Sequence, residues 1–247
     1  MGNKSTNIVG RQPVLEALQE GIQLERIYLQ KNASGEVIDR IRELAYNQHI
    51  PINYVPVEKL NSLSRIPHQG VIALNSFIQY VDLQDAIDLV VQQGETPLFV
   101  MLDGVTDVRN IGAIARSAKC CGSQLIILPD KGVGALNEEA LKSSAGALQQ
   151  IMITRVNSLL KAIDTLRMNG IAVVVTEMGA TTPLFEVDLK QPTCLVMGSE
   201  DKGVQPYISK AATVKCFIPM PGEFESFNVS VATGILLYEA TRQRLVS

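Results

Sequence analysis

Six runs of consecutive apolar residues constrain this chain more than any other feature. They are LFVMLDG, QLIILPD, QIMITRV, IAVVVTEM, TCLVMGSE and TVKCFIPM, all between residues 98 and 220. None alternates apolar with polar residues. A strand that is apolar at every position is buried on both faces, and a mainly parallel sheet with helices on each side provides that environment. In such sheets ligands bind beyond the carboxyl ends of the strands. The rule selects loops that start near Asp103, Pro129, Glu177, Gly198 and Pro219.

The first 77 residues read differently. GRQPVLEALQEG places Val14, Leu15 and Leu18 at helical spacing and stops at Gly21. GEVIDRIRELAYNQ carries Val37, Ile38, Ile41, Leu44 and Ala45 on one helical face. LERIYLQ, INYVPV and GVIALNSF read as strands, and VEKLNSL as a short helix. A small α/β domain over 1–77, a connection over 78–96 with Gly94 and Pro97 at its polar end, and a larger α/β domain over 97–247 follow from this pattern.

Composition removes several function classes. With 46% hydrophobic residues the chain is not disordered. No apolar run reaches the ~18 residues of a membrane span, and the amino terminus lacks the apolar stretch of a signal peptide. Gly2 and Thr6 match a myristoylation pattern only loosely. A soluble cytoplasmic protein is expected. Cys120 and Cys121 are adjacent, which suits neither a metal hook nor an ordinary disulfide. The only histidines are His49 and His68, so neither a zinc site nor a histidine-based triad is expected in the second domain. Net charge is −3. Residues 1–77 carry 8 Lys/Arg against 7 Asp/Glu, and the rest carry 14 against 18. Any nucleic-acid contact is therefore local or shared between subunits.

Three loops combine glycine with polar residues after an apolar strand. In LDGVTDVRNIGAIARSA a helix starts near Asn110 and runs to Gly122; Arg109, Gly112 and Arg116 share one face, and Ile111, Ile114, Ala115 and Ala118 form the core face. Gly112 clears room for a close approach. In VMGSEDKGV, Gly198 and Gly203 bracket Glu200. In IPMPGEFESFNVSVATG, Pro219, Pro221 and Gly222 bend the chain before Asn228 opens a helix. Asn228 is read either as a helix cap or as part of a ligand site at a helix N-terminus. The chain contains neither a G-x-x-x-x-G-K-[ST] loop nor a G-x-G-x-x-G fingerprint, which argues against a nucleotide-binding enzyme of the doubly wound kind.

Taken in order, Asn110-x-Gly112-x-x-x-Arg116, Gly198-x-Glu200-x-x-Gly203 and Ile218-Pro219-Met220-x-Gly222 followed by Ser226-x-Asn228-Val229-Ser230 resemble the three motifs of the SpoU/TrmH RNA 2′-O-ribose methyltransferases of the SPOUT superfamily. IVGRQPVLEAL and HQGVIA resemble the small RNA-binding domain, with a ribosomal-protein-like fold, of the bacterial branch that methylates a guanosine of large-subunit (23S) ribosomal RNA. The resemblance covers nearly the whole chain. It implies a deep trefoil knot in the larger domain, a homodimer, and S-adenosylmethionine as cofactor with no metal. It implies a cofactor pocket at Met197, Gly198, Ile218, Met220, Phe227 and Asn228, and a catalytic Arg116 supported by Asn110, Glu200, Ser226 and Asn228. Both readings of Asn228 then hold together. Asp201 and Phe227 depart from the family, which usually has Gly and Leu there. Arg11, Lys31, Arg40, Arg42 and Arg65 are candidate RNA contacts of the first domain, and His68 and Gln69 are read as structural. The alternatives are a transfer-RNA guanosine as target, or a non-catalytic RNA-binding ribosome-assembly factor.

Overall fold

The structure, a computed structural model, describes residues 7–134, 136–222 and 226–246. Gly2 and Thr6 of the myristoylation-like pattern lie outside the described residues. The chain divides into two compact units, Met1–Gln79 and Tyr80–Ser247.

The first unit runs β1 (Ile8–Val9), α1 (Arg11–Gln19), β2 (Leu24–Gln30), α2 (Glu36–Asn47), β3 (Ile52–Val55), α3 (Val57–Leu63) and β4 (Val71–Asn75). Its sheet has the order β1-β4-β2-β3. The β2/β3 pair is parallel and the other two pairs are antiparallel. α1 accepts Pro13 because a first-turn residue has no intrahelical N–H bond to lose. Val14, Leu15 and Leu18 of α1 and Ile38, Ile41 and Ala45 of α2 pack on Ile27, Leu29, Val71 and Ala73 of the sheet. Val37 and Leu44, expected on the same face of α2, are only partly buried at its flanks. The two-residue β1 was not expected; it is too short to show a period.

The second unit contains α4 (Leu83–Gln92), β5 (Leu98–Asp103), α5 (Val108–Cys120), β6 (Leu125–Pro129), α6 (Glu138–Ser143), β7 (Met152–Val156), α7 (Leu159–Met168), β8 (Ala172–Thr176), β9 (Thr182–Pro183), β10 (Thr193–Gly198), α8 (Pro206–Ala211), β11 (Val214–Phe217) and α9 (Val229–Leu245). Its seven-stranded sheet has the order β7-β6-β5-β10-β8-β11-β9. Every pairing in it is parallel. All six apolar runs are strands of this sheet, and β5 is buried at every residue. β9 is a short edge piece ending in proline, a residue that sheets tolerate only at edges.

The connection expected over 78–96 is corrected by α4. Asp82 caps it by accepting from the Gln84 and Asp85 N–H groups. Leu83, Ala86, Ile87 and Val90, at helical spacing, enter the same core as Phe99, Met101 and Ile163. The polar run Gln92, Gln93, Gly94 and Glu95 at its end is what reads as a connection in the sequence.

Candidate functional site

β5 and β10 lie side by side where the strand order reverses direction, and their last residues, Asp103 and Gly198, are register partners. The loops that follow therefore start together. Asp103 is 1% exposed. Its carboxylate accepts from the Gln205 backbone N–H at 2.7 Å and from Gln205 Nε2 at 2.7 Å. A buried carboxylate needs such donors, and here they pin the far end of the 199–204 loop over β5. Within that loop Ser199 and Gly203 exchange backbone hydrogen bonds, and Gly203 has φ +64°. Gly198 is required by contact: a Cβ there would stand 2.0 Å from Gly203 C and 2.1 Å from Val204 N.

The three motif loops meet at one point. Asn110 Nδ2 donates to Glu200 Oε1 at 3.0 Å. Asn228 Nδ2 donates to the same oxygen at 2.5 Å and lies 3.3 Å from Asn110 Oδ1. Asn228 Oδ1 accepts from the Ser230 N–H at 2.9 Å, which caps α9, and from the Ser230 hydroxyl at 2.6 Å. Capping and site assembly thus use different atoms of one amide.

The network stands between two cavities. The first, about 390 Å³, is lined by Met197, Gly198, Phe217, Ile218, Met220, Phe227 and Val229, with Glu177, Glu200, Lys202 and Ser226 as polar groups. Asn228 is adjacent, in the network. The second, about 450 Å³, is more polar and includes Asp103, Gly104, Thr106, Asp107, Asn110, Asp201 and Gln205. Ser199, Glu200, Lys202, Gly203 and Val229 line both. Apolar walls with a few convergent polar groups are the make-up of a small-molecule site, and the volume falls in the usual range.

Arg116 is exposed on α5, lines neither cavity, and has no hydrogen bond or ion pair among the described residues. Gly112 does permit a close approach, but the neighbour is α6: an added Cβ would meet Ser143 Oγ at 1.9 Å and the Ala140 carbonyl at 2.6 Å. α5 starts at Val108, two residues before Asn110, and Asp107 caps it. Hydrogen bonds from Arg109 hold the Asp107 carboxyl below its usual range. Burial pushes up the Cys194 and Cys216 thiols, the latter to about 11, so neither offers a thiolate at neutral pH. Among the described residues no group of three His, Cys, Asp or Glu side chains could hold a metal ion, and no helix is long and apolar enough to cross a membrane.

In the first unit the candidate cations separate into two sets. Arg11 donates to the Gln69 carbonyl at 2.9 Å and the Ser34 carbonyl at 3.1 Å, so it clasps two loops. Arg42 binds Asp39 and the Ala33 carbonyl and stacks on Tyr54 at 5.9 Å. Arg40 pairs with Glu43. Lys31 and Arg65 are exposed, and their side chains have no partner among the described residues. His68 Nδ1 accepts from the Gly70 N–H, which leaves the proton on Nε2 to donate to Asn61. Asp103, Gln205 and Glu177 were not foreseen as site residues. Two of them stood at the predicted strand ends, which was the available signal.

The family model described as the SpoU rRNA Methylase family matches residues 97–238. The chain belongs to this family. A second family model, RNA 2′-O ribose methyltransferase substrate binding, matches residues 7–81. The Bacillus subtilis protein YacO, assigned to the TrmH family of tRNA/rRNA methyltransferases, is 32% identical over 99% of this chain and 98% of its own length. A Staphylococcus saprophyticus protein with the same assignment is 35% identical over 96% of this chain and 95% of its own. The crystal structure of the SpoU methyltransferase AviRb from Streptomyces viridochromogenes in complex with AdoMet superposes with a TM-score of 0.62 at 25% identity, covering 98% of this chain and 92% of that one. The SpoU chain is thus an RNA methyltransferase of the SpoU/TrmH type, with a sheet-based catalytic unit and a separate N-terminal unit.

Proposed function

We propose that this protein transfers a methyl group from S-adenosylmethionine to the ribose 2′-hydroxyl of a guanosine in large-subunit ribosomal RNA. The observation that carries the reading is the Asn110–Glu200–Asn228 network, which joins three loops at the wall between an apolar and a polar cavity. The apolar cavity fits the adenosyl cofactor by the chemistry of its walls: Met197, Phe217, Ile218, Met220 and Phe227 suit a purine, and the polar groups suit its substituents. That cofactor supplies an electrophilic methyl on a sulfonium sulfur.

The chain's own residues do the positioning. The network fixes the wall that separates cofactor from acceptor, so alignment of the reacting atoms is set before the reaction. Arg116 is unengaged and exposed, which leaves its planar fork free to grip an RNA phosphate and orient the hydroxyl beside it. An arginine is a donor here and not a base, because its proton is held too tightly. Ser226 lines the cofactor cavity two residues before Asn228. Of the candidate cations in the first unit, Lys31 and Arg65 are the ones left free for RNA, whereas Arg11 and Arg42 chiefly hold the fold.

A homodimer belongs to this reading. Phe185, Val231 and Tyr238 are exposed apolar side chains around a groove that also includes Ile235 and Pro219. The knot implied by the motifs, and a cytoplasmic location, are part of the same proposal. The relatives' assignments name both tRNA and rRNA, so a transfer-RNA guanosine is the second reading.

The test is methyl transfer from labelled S-adenosylmethionine to unmodified 23S rRNA and, in parallel, to unmodified tRNA, with the product nucleotide mapped. A 2′-O-methylguanosine in the rRNA alone is expected. Label confined to tRNA refutes the target and keeps the chemistry. No cofactor binding and no transfer to either RNA moves the reading to a non-catalytic assembly factor.

A further inference from the structure

Glu177 follows β8, which lies beyond β10 on the side away from β5, and it lines the apolar cavity. It is therefore a carboxylate on the side of the cavity away from Asn110. Two neighbours hold it. Ser209 on α8 donates to Oε2 at 2.5 Å, and Lys215 Nζ on β11 lies 3.2 Å from Oε1. Its own backbone N–H is bonded to the Cys216 carbonyl, so the residue is fixed at both backbone and side chain. The side chain remains 31% exposed.

Each carboxylate oxygen has about two lone-pair sites. One on each oxygen is taken by Ser209 or Lys215, which leaves one on each for a ligand. The charge on Glu177 is largely matched by Lys215. A second cation arriving here would meet the ammonium of Lys215 as well as the carboxylate. A pair of neutral hydroxyl donors meets no such repulsion. Two adjacent acceptor oxygens also match the spacing of a vicinal diol, in the manner by which an acidic residue at a strand end holds a nucleotide ribose in other parallel-sheet proteins.

We propose that Glu177 receives the 2′,3′-diol of the ribose of the adenosyl cofactor, held for that task by Ser209 and Lys215. The inference rests on the cofactor reading of the cavity. Hydrogen bonding from Ser209, with Lys215 behind it, keeps the carboxyl below its usual range, so it is an acceptor throughout neutral pH.

The test is binding, measured by calorimetry on the full chain, with wild type, Glu177→Ala and Glu177→Gln. The ligands are S-adenosylhomocysteine, 5′-methylthioadenosine, which lacks the amino-acid tail, and 5′-methylthio-2′,3′-dideoxyadenosine, which also lacks the diol. Glu177→Ala is expected to weaken the first two by a similar factor, about tenfold, the loss for a bidentate charged acceptor worth ~1.4 kcal/mol. It should leave the dideoxy compound unchanged. Glu177→Gln, which keeps the Ser209 bond, should lie between. A loss confined to S-adenosylhomocysteine assigns Glu177 to the amino-acid tail and overturns the proposal. An equal loss with the dideoxy compound makes the role structural and overturns it too. Wild type that binds none of the adenosyl ligands overturns the cofactor reading itself.

Discussion

Gly198→Ala isolates the contact on which the site depends. The added methyl would stand 2.0 Å from Gly203 C, 2.1 Å from Val204 N and 2.4 Å from Gly203 O. All three are backbone atoms, so no side chain can rotate away. Gly198 does not have a positive φ, so the penalty is steric and not conformational. Inserting one methyl group into a packed region costs roughly 1–3 kcal/mol, and backbone overlap puts this case near the upper end. For a chain of this size ~3 kcal/mol lowers Tm by roughly 6–12 °C. Relief requires the 199–204 loop to lift, which breaks the Gln205 bonds to Asp103 and shifts Glu200 from Asn110 and Asn228. Cofactor affinity should therefore fall by more than tenfold alongside the loss in Tm. Gly179→Ala is the control: nothing lies within 4 Å of its added methyl and its φ is ordinary. Thermal unfolding followed by circular dichroism and calorimetric titration with S-adenosylhomocysteine read both effects. A Gly198→Ala protein that melts and binds like wild type would refute the steric reasoning.

Arg244→Met removes bonds to the carbonyls of Thr96, Pro97, Leu189 and Gln191, and should destabilise by about 3 kcal/mol, since desolvation of the guanidinium offsets part of what charged hydrogen bonds supply; a chemical denaturation curve with an unshifted midpoint would contradict it. Arg116→Lys keeps the charge and loses the planar fork, so methyl transfer to RNA should drop at least tenfold with Tm and cofactor binding unchanged; full activity would remove Arg116 from the proposed role. The Glu177 carboxyl is held below its ordinary value of 4.5. Its contribution to stability is thus complete above that pH and drains away as pH falls through the lowered value. The Tm difference between wild type and Glu177→Gln should accordingly shrink on acidification from pH 6 to pH 3, and a constant difference would show that the carboxylate's charge contributes nothing.

The parallel sheet was legible because its long strands are mostly apolar and do not alternate, with β5 buried at every residue, which few other environments permit. The meeting of Asn110, Glu200 and Asn228 was legible as a motif order, but not as geometry: the residues are 90 and 118 positions apart, the pairing of β5 with β10 brings the first two together, and the segment after β11 brings Asn228 to them. α4 was not legible because its short apolar period runs straight into a polar tail that ends in Gly94 and Pro97. Arg11 and Arg42, read as candidate RNA contacts, also carry bonds within the fold that the sequence does not announce. The carbonyls they reach, of Gln69, Ser34 and Ala33, come from other segments of the chain. Asp103 was marked only as a strand end, and Gln205 carries no local signal, because the bond between them joins that strand end to a loop closure 102 positions away.

α9 is tied at both ends to the same two strands. Asn228 at its start binds the loops that leave the carboxyl ends of β5 and β10, and Arg244 near its finish binds carbonyls just before the amino ends of those strands. Seventeen helical residues span roughly 25 Å at the usual rise per residue. The helix therefore works as a strut of set length, stretched along the sheet between two fixed points. Its first and last turns share one rigid body, with the Asn110–Glu200–Asn228 network at one end and the Arg244 bonds at the other. The length of one helix thus sets the distance between the network and an anchor at the opposite ends of those strands.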